Sequence, residues 1–187
     1  MQIVRWGILG TAQIATNVFI PALRTVRGAE LAAVASRDAD RAEAFASTHG
    51  AKRAFGSYPE LLDSHAVDAV YIPLPNSDHE RWTREAAERS IPVFCEKPLT
   101  NDSASAARIT ALCRKLEIPL MEAFIFRYHP QTRVLCELLS AGRIGTISQI
   151  SGERAPIPPA GLAAARGAAA GSGSALGILP PVSRISF

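Results

Sequence analysis

Short apolar runs alternate with amphipathic stretches along the first 150 residues of the chain. Apolar runs of this kind are typical of buried strands, whereas apolar residues three or four positions apart are typical of helices that pack on a sheet. The pattern predicts strands over residues 3–9, 31–35, 67–73, 93–96, 120–124 and 146–150. It predicts helices over residues 14–26, 39–48, 78–89, 103–116 and 131–140.

Strands that alternate with helices of this length are typical of β-α-β units, which make neighbouring strands parallel and place helices on both faces. We therefore predict an α/β fold with a doubly wound parallel sheet of the Rossmann type. Pro21 falls inside the first predicted helix, where it should kink or shorten the helix.

The composition changes at about residue 151. Ala, Gly, Pro and Ser together make up 25 of the last 37 residues, and neither helical nor strand periodicity continues. Such a segment has few side chains to bury, so we expect it to be irregular and loosely ordered. The predicted organisation is one domain over residues 1–150 and a low-complexity tail over residues 151–187.

Composition and charge exclude several function classes. The net charge is +3 without a basic block that contains aromatic residues, so we expect no nucleic-acid partner. No run of about 18 apolar residues occurs, and the N-terminus lacks the features of a signal peptide, so we expect no membrane span. The three cysteines lie far apart, which argues against a disulfide framework or a metal site and fits a cytoplasmic protein.

The segment after the first strand carries a variant of the dinucleotide fingerprint G-x-G-x-x-G/A. Gly10, Ala12 and Ala15 occupy the three small positions, so alanine replaces the middle glycine. Backbone amides at the start of the following helix could still bind a pyrophosphate, because the helix dipole favours anions there. The alternative is an ordinary strand–turn–helix without a ligand.

The end of the second predicted strand indicates which dinucleotide would bind. An NAD site carries Asp or Glu at this place to bind the ribose hydroxyls, whereas this chain has Ser36 and Arg37, followed by Asp38. A hydroxyl and a guanidinium suit a 2′-phosphate, which favours NADP over NAD. The alternative is a solvated loop in which Ser36 or Asp38 lies near the start of a helix.

Three further clusters follow predicted strands, at the edge of the sheet where ligands bind. Residues 72–79 contain two prolines followed by polar side chains, for which simple capping of the next helix is the alternative. In the second cluster Lys97 directly follows an apolar strand, where a partly buried ammonium could donate a proton. The alternative there is a surface ion pair between Glu96 and Lys97. The third cluster, over residues 121–130, mixes aromatic residues with Glu122, Arg127 and His129, and the alternative there is a structural role for the His or the Arg.

Three motifs in this order and spacing carry a family resemblance. They are Pro75-Asn76-x-x-His79, Glu96-Lys97-Pro98 and Glu122-Ala123-Phe124-x-x-Arg127-x-His129-Pro130. Over about residues 3–150 the chain resembles the Gfo/Idh/MocA family of NAD(P)-dependent oxidoreductases, within it the dihydrodiol and xylose dehydrogenase type.

The resemblance implies roles for individual residues. Lys97 would be the catalytic residue, beside the nicotinamide and the reacting carbon of the substrate. The positions that match cofactor contacts of the family are Gly10, Thr11, Ala12, Gln13, Ile14, Ser36, Arg37, Pro73, Leu74, Asn76, His79, Glu96, Lys97 and Arg127. The implied reaction is NADP-dependent hydride transfer to or from a carbon of a sugar, polyol or dihydrodiol.

Family members continue into a second α/β domain that supplies substrate contacts. Residues 171–183 are only faintly similar to a segment of that domain and lack its Asp and its Tyr or His. We therefore expect the second domain to be missing, through an early stop or a frame shift near Gly152.

The alternatives to an active enzyme are an inactive nucleotide-binding fragment and a chain that takes its substrate site from a partner. The exposed edge over residues 146–150 would favour a homo-oligomer.

Overall fold

The computed structural model describes residues 3–150, in which the predicted doubly wound parallel sheet is confirmed. Six parallel strands lie in the order β3-β2-β1-β4-β5-β6. The strands are β1 Val4–Leu9, β2 Ala29–Ala35, β3 Arg53–Phe55, β4 Ala69–Ile72, β5 Val93–Cys95 and β6 Leu120–Glu122. The α-helices are α1 Ile20–Thr25, α2 Ala39–His49, α3 Tyr58–Asp63, α4 Asn76–Glu88, α5 Ser103–Lys115 and α6 Pro130–Ser140.

The chain divides into two compact units, one up to Ile125 and one from Phe126 onward. The first contains the whole sheet, and the second begins within the 3-10 helix Ile125–Tyr128 and contains α6. The predicted tail over residues 151–187 lies outside the described residues. None of the helices in residues 3–150 is long and apolar enough to cross a bilayer.

Local sequence signals explain how the helices begin. Asp38, Ser57 and Asp102 cap α2, α3 and α5, and each side chain accepts a hydrogen bond from a backbone N–H in the first turn. Pro21 lies in the first turn of α1, which a π-helical turn over Ala15–Phe19 precedes. Because Phe19 and Ile20 already have helical backbone angles, the missing N–H of Pro21 interrupts the hydrogen bonds of one continuous helix. Pro21 therefore marks the start of the α-helical part.

The structure corrects the predicted element pattern at two places. The sequence pattern predicted neither β3 nor α3, although Ser57 and Glu60 stand at the spacing of a helix N-terminus. The strand predicted over residues 146–150 is wrong, since no strand forms there in the described chain. That segment follows a turn with Gly142 and Gly145 at positive φ, and its side chains are exposed.

The core lies on both faces of the sheet, because successive strand residues point to opposite sides. Leu9 and Val70 belong to one buried cluster, which includes Trp82 of α4. Their neighbours Ile8 and Tyr71 belong to the other, which includes Ile20 of α1. These two layers fix the ends of β1 and β4 side by side, where the functional side chains are found.

Candidate functional site

A cleft of about 400 Å³ lies at the carboxyl ends of β1, β2 and β4. In the observed order β1 lies between β2 and β4: the chain adds β2 and β3 on one side of β1 and then β4 to β6 on the other. Ligands of doubly wound sheets bind where the order of strands reverses in this way. The cleft brings together the predicted residues Gly10, Thr11, Ala12, Ser36, Arg37, Pro73 and Leu74. Its other lining residues are Asp38, Arg41, Tyr58 and Pro75, which the sequence analysis did not assign to the site.

Gly10 forms the turn between β1 and the first helix. Its φ is +105°, a conformation that side chains rarely adopt, and its N–H donates to the carbonyl of Ala35 over 2.8 Å. A Cβ placed on Gly10 would lie 2.9 Å from Cδ2 of Leu74, at the end of β4. The turn therefore requires glycine both for its backbone conformation and for the close approach of the next loop.

The helix after this turn begins at the cleft. The N–H groups of Ala15 and Thr16 both donate to the carbonyl of Ala12, over 3.0 and 3.4 Å. The amides from Thr11 to Ile14 precede these bonds, where the first N–H groups of a helix have no partner within it. Gln13 and Ile14 are exposed in this first turn. The arrangement supplies hydrogen-bond donors for an anion at the end of β1.

The end of β2 presents cationic side chains to the cleft. Ser36 is buried, its N–H donates to the carbonyl of Phe55, and its Oγ accepts from the N–H of Asp38. The Asp38 carboxylate accepts from the N–H of Arg41, so this part of the earlier alternative is confirmed: Asp38 caps α2. Arg37 and Arg41 are exposed and both line the cleft.

Arg41 and Tyr58 are the lining residues that carry side-chain chemistry and escaped the sequence analysis. Arg41 lies in the first turn of the predicted helix that directly follows Ser36 and Arg37, and this place at the ligand edge of the sheet is the signal that could have found it. Tyr58 is 6% exposed, and its ring packs edge-on against Trp82 at 4.8 Å. Its hydroxyl oxygen lies 3.8 Å from the position of a Cβ on Gly10, and burial raises the pKa of this phenol.

A second group of predicted residues lies where β4 and β5 end. Glu96 follows β5, and its N–H donates to the carbonyl of Ile72 at the end of β4. Its carboxylate accepts a hydrogen bond of 2.7 Å from the hydroxyl of Tyr71. Burial, and then this bond, raise the pKa of Tyr71. Glu96 is therefore anchored in the sheet.

Lys97 follows Glu96 and is exposed, so the expectation of a partly buried ammonium is wrong. The alternative of a Glu96–Lys97 ion pair is also wrong, since the described residues contain no such salt bridge. The backbone N–H of Lys97 donates to Oε2 of Glu96 over 3.2 Å. The ammonium is thus free to contact a molecule outside the described chain.

Asn76 and His79 lie in the first turn of α4. No side chain caps this helix, so simple capping does not explain its polar residues. His79 is fully buried, with Nδ1 2.7 Å from the carbonyl oxygen of Pro98 and Nε2 2.8 Å from that of Leu74. Carbonyl oxygens only accept, so both contacts are hydrogen bonds only when both ring nitrogens carry a proton. His79 therefore connects the loops after β4 and β5, and neither ring nitrogen is left for a ligand.

A comparison with protein families decides the assignment of the chain. A family model described as an oxidoreductase family with an NAD-binding Rossmann fold matches residues 4–124. The chain belongs to the Gfo/Idh/MocA family. The resemblance inferred from the three motifs is thereby confirmed.

Individual members of the Gfo/Idh/MocA family are similar to the chain over the same part. It is 44% identical over 146 residues to D-xylose 1-dehydrogenase (NADP+) 2 from Haloferax volcanii, covering 78% of this chain and 44% of that protein. It is 35% identical over 151 residues to trans-1,2-dihydrobenzene-1,2-diol dehydrogenase from Xenopus laevis, covering 80% and 46%. The chain therefore spans about half the length of these curated relatives.

A solved structure of the family agrees with the fold. A 3-ketoreductase from Actinomadura kijaniata, in complex with TDP-benzene and NADP, superposes with a TM-score of 0.73 at 41% identity. The superposition covers 79% of this chain and 46% of that one.

Arg127 is the remaining predicted contact and lies in the second unit, within the 3-10 helix Ile125–Tyr128. Its contact with a cofactor stays a prediction. The cleft and the loop of Lys97 both lie in the first unit, which contains the residues that the family model matches.

Proposed function

We propose that the chain binds NADP, in preference to NAD, in the cleft at the ends of β1, β2 and β4. The observation that carries the proposal is the end of β2, where Ser36 stands at the place of the acidic residue of an NAD site. Arg37 and Arg41 line the same cleft. Guanidinium groups bind phosphate through paired, charge-assisted hydrogen bonds, which suits the 2′-phosphate of NADP.

The other lining residues fit a dinucleotide. Gly10 makes the tight turn after β1, and the amides from Thr11 to Ile14 supply donors for the pyrophosphate. Asp38 does not compete for the ribose, because its carboxylate already caps α2. The Tyr58 hydroxyl forms no hydrogen bond within the described chain and could donate one to the nucleotide.

For the whole protein we propose an oxidoreductase that acts on a carbon of a sugar, polyol or dihydrodiol. NADP supplies or accepts the hydride when it is bound. Lys97 is proposed to hold or move the proton of the substrate oxygen, since its ammonium is exposed and unpaired in the described chain. Relatives named as xylose and dihydrodiol dehydrogenases support this substrate class.

A second candidate is nucleotide binding without turnover, or turnover only with a partner chain. It is favoured by the extent of the match, since the chain spans about half the length of its curated relatives. Hydride transfer needs water exclusion and substrate positioning, and more than half of each of these relatives has no counterpart in the match. Homo-oligomer formation stays a prediction that light scattering at micromolar concentration can decide.

The test is a titration of the purified chain with NADPH and, separately, with NADH, followed by nicotinamide fluorescence. We expect tighter binding of NADPH and a loss of about 10- to 100-fold in its affinity on Arg37→Ala, the effect of one charged hydrogen bond. NADH binding should change little in this variant. Arg84→Ala is the matched control, because Arg84 is an exposed arginine of α4 that does not line the cleft. Equal affinity for both cofactors, or none for either, would overturn the proposal.

A further inference from the structure

We propose that Glu122 is a positioning residue for Lys97. Its carboxylate, at the end of β6, holds the loop over residues 97–99 through the N–H of Leu99. The inference rests on the proposed function, in which the Lys97 ammonium holds or moves a proton beside the cofactor. Glu122 does not line the cleft, so its part would be to fix the direction from which Lys97 reaches the site.

The sheet places the carboxylate beside the loop. Glu122 is paired with Cys95 in the parallel register of β5 and β6, and the N–H of Ala123 donates to the carbonyl of Cys95 over 2.8 Å. From this position Oε1 of Glu122 accepts the N–H of Leu99, also at 2.8 Å. The loop therefore begins at the end of β5, and its Leu99 is bound by a residue of β6, the strand that pairs with β5.

The loop is held at three successive residues by side chains from different elements. The N–H of Lys97 donates to Glu96, Nδ1 of His79 lies 2.7 Å from the carbonyl oxygen of Pro98, and the N–H of Leu99 donates to Glu122. The Lys97 ammonium itself forms no ion pair or hydrogen bond in the described chain. Its direction is therefore set by the backbone that these three contacts fix.

Strand formation alone does not explain a glutamate at this position. Glu is disfavoured in strands, and β6 has only three residues and lies at the edge of the sheet. Glu122 is half-buried, and a partly buried carboxylate is stable only where it is hydrogen-bonded. The bond to Leu99 supplies that compensation, which ties the carboxylate to the loop.

Hydrogen exchange of the Leu99 amide, read by NMR spectroscopy, tests the inference in the free protein, because its N–H is the group that Glu122 holds. In Glu122→Ala we expect this amide to exchange about fivefold faster, the factor given by the loss of one ordinary hydrogen bond.

Two further variants separate positioning from a general loss of structure. Glu122→Gln keeps an oxygen acceptor for Leu99 and should restore native exchange of the Leu99 amide. Glu85→Ala removes another half-buried carboxylate, which pairs with Arg89, and should leave Leu99 exchange unchanged. Native Leu99 exchange in Glu122→Ala, or equal exchange in the Ala and Gln variants, overturns the inference.

The cofactor titration distinguishes this failure from failure of the proposed function. Amide exchange in the free protein needs no NADPH, so it tests the hold on the loop by itself. If the native chain binds NADPH, the cofactor should slow the acetylation of Lys97 by limiting acetic anhydride, relative to Lys52 and Lys115, and Glu122→Ala should lose that protection while keeping nearly native affinity. If the native chain does not bind NADPH, the proposed function is overturned. The proposal that Glu122 positions Lys97 beside the cofactor is then overturned as well.

Discussion

The replacement of Gly10 by alanine tests the account of the turn at the end of β1. An alanine at φ +105° is strained, which costs about 1–3 kcal/mol. Its Cβ would also lie 2.9 Å from Cδ2 of Leu74, a side chain that packs against the buried core. Overpacking of this kind adds about 1–3 kcal/mol. Since only the flexible end of Leu74 has to move, we expect the free energy of unfolding to fall by about 2–4 kcal/mol in total.

Gly50→Ala is the matched control for this variant. Gly50 also has a positive φ, +75°, but nothing lies within 4 Å of a Cβ placed there. It should therefore show only the backbone cost, about 1 kcal/mol. Urea unfolding with an unchanged m-value measures both free energies.

The same Gly10 variant should bind NADPH more weakly, because it strains the phosphate turn and displaces Leu74, which lines the cleft, whereas Gly50→Ala should bind it normally. Equal destabilisation of the two variants, together with native NADPH affinity in Gly10→Ala, would refute the reasoning about the turn.

Three other variants or treatments test local features of the fold. Arg5 holds the pKa of Asp68 below its ordinary value by a side-chain hydrogen bond, so the stability that the pair contributes is present at neutral pH and is lost as the pH falls below about 4. Unfolding curves of Asp68→Asn and the native chain should accordingly converge in acid, and a constant difference would contradict this. Ser57→Ala removes the cap of α3 and should lower the free energy of unfolding by about 1 kcal/mol, measured by urea titration; an unchanged midpoint would contradict the cap. Burial raises the pKa of Cys95 to about 12, so a thiol reagent at pH 8 should modify the half-buried Cys136 first and Cys95 only after unfolding, and early labelling of Cys95 would speak against its burial.

The alternation of strands and helices was sufficient to predict the sheet, but not all of its members. Apolar runs identify β1, β2, β4 and β5, because buried parallel strands are almost continuously hydrophobic. β3 has only three residues, beginning with the exposed Arg53, and pairs with Ala33–Ala35. Its strand conformation depends on that partner rather than on its own sequence pattern. The strand predicted over residues 146–150 shows the converse case, since a segment with only Ile147 and Ile150 as apolar residues does not form a strand without a partner in the described chain.

The candidate site could likewise be predicted from the sequence only in part. The fingerprint predicted the turn at Gly10, and Ser36 and Arg37 follow from their place after β2. The contacts of His79 with Leu74 and Pro98, and of Glu122 with Leu99, could not be predicted from local sequence. They join residues between 5 and 23 positions apart, and only the register of β4, β5 and β6 brings them together.

These contacts separate two properties of the site. The cleft is lined by residues from 10 to 75, on the loops after β1, β2 and β4, together with the first turns of α2 and α3. The hold on Lys97 comes from Glu96, His79 and Glu122, none of which lines the cleft. Replacement of Arg37 should therefore lower the affinity for NADPH without releasing the loop of Lys97. Replacement of Glu122 should release that loop without lowering the affinity for NADPH. Because the two sets share no residue, the proposed binding of NADPH and the proposed orientation of Lys97 can be tested independently of each other.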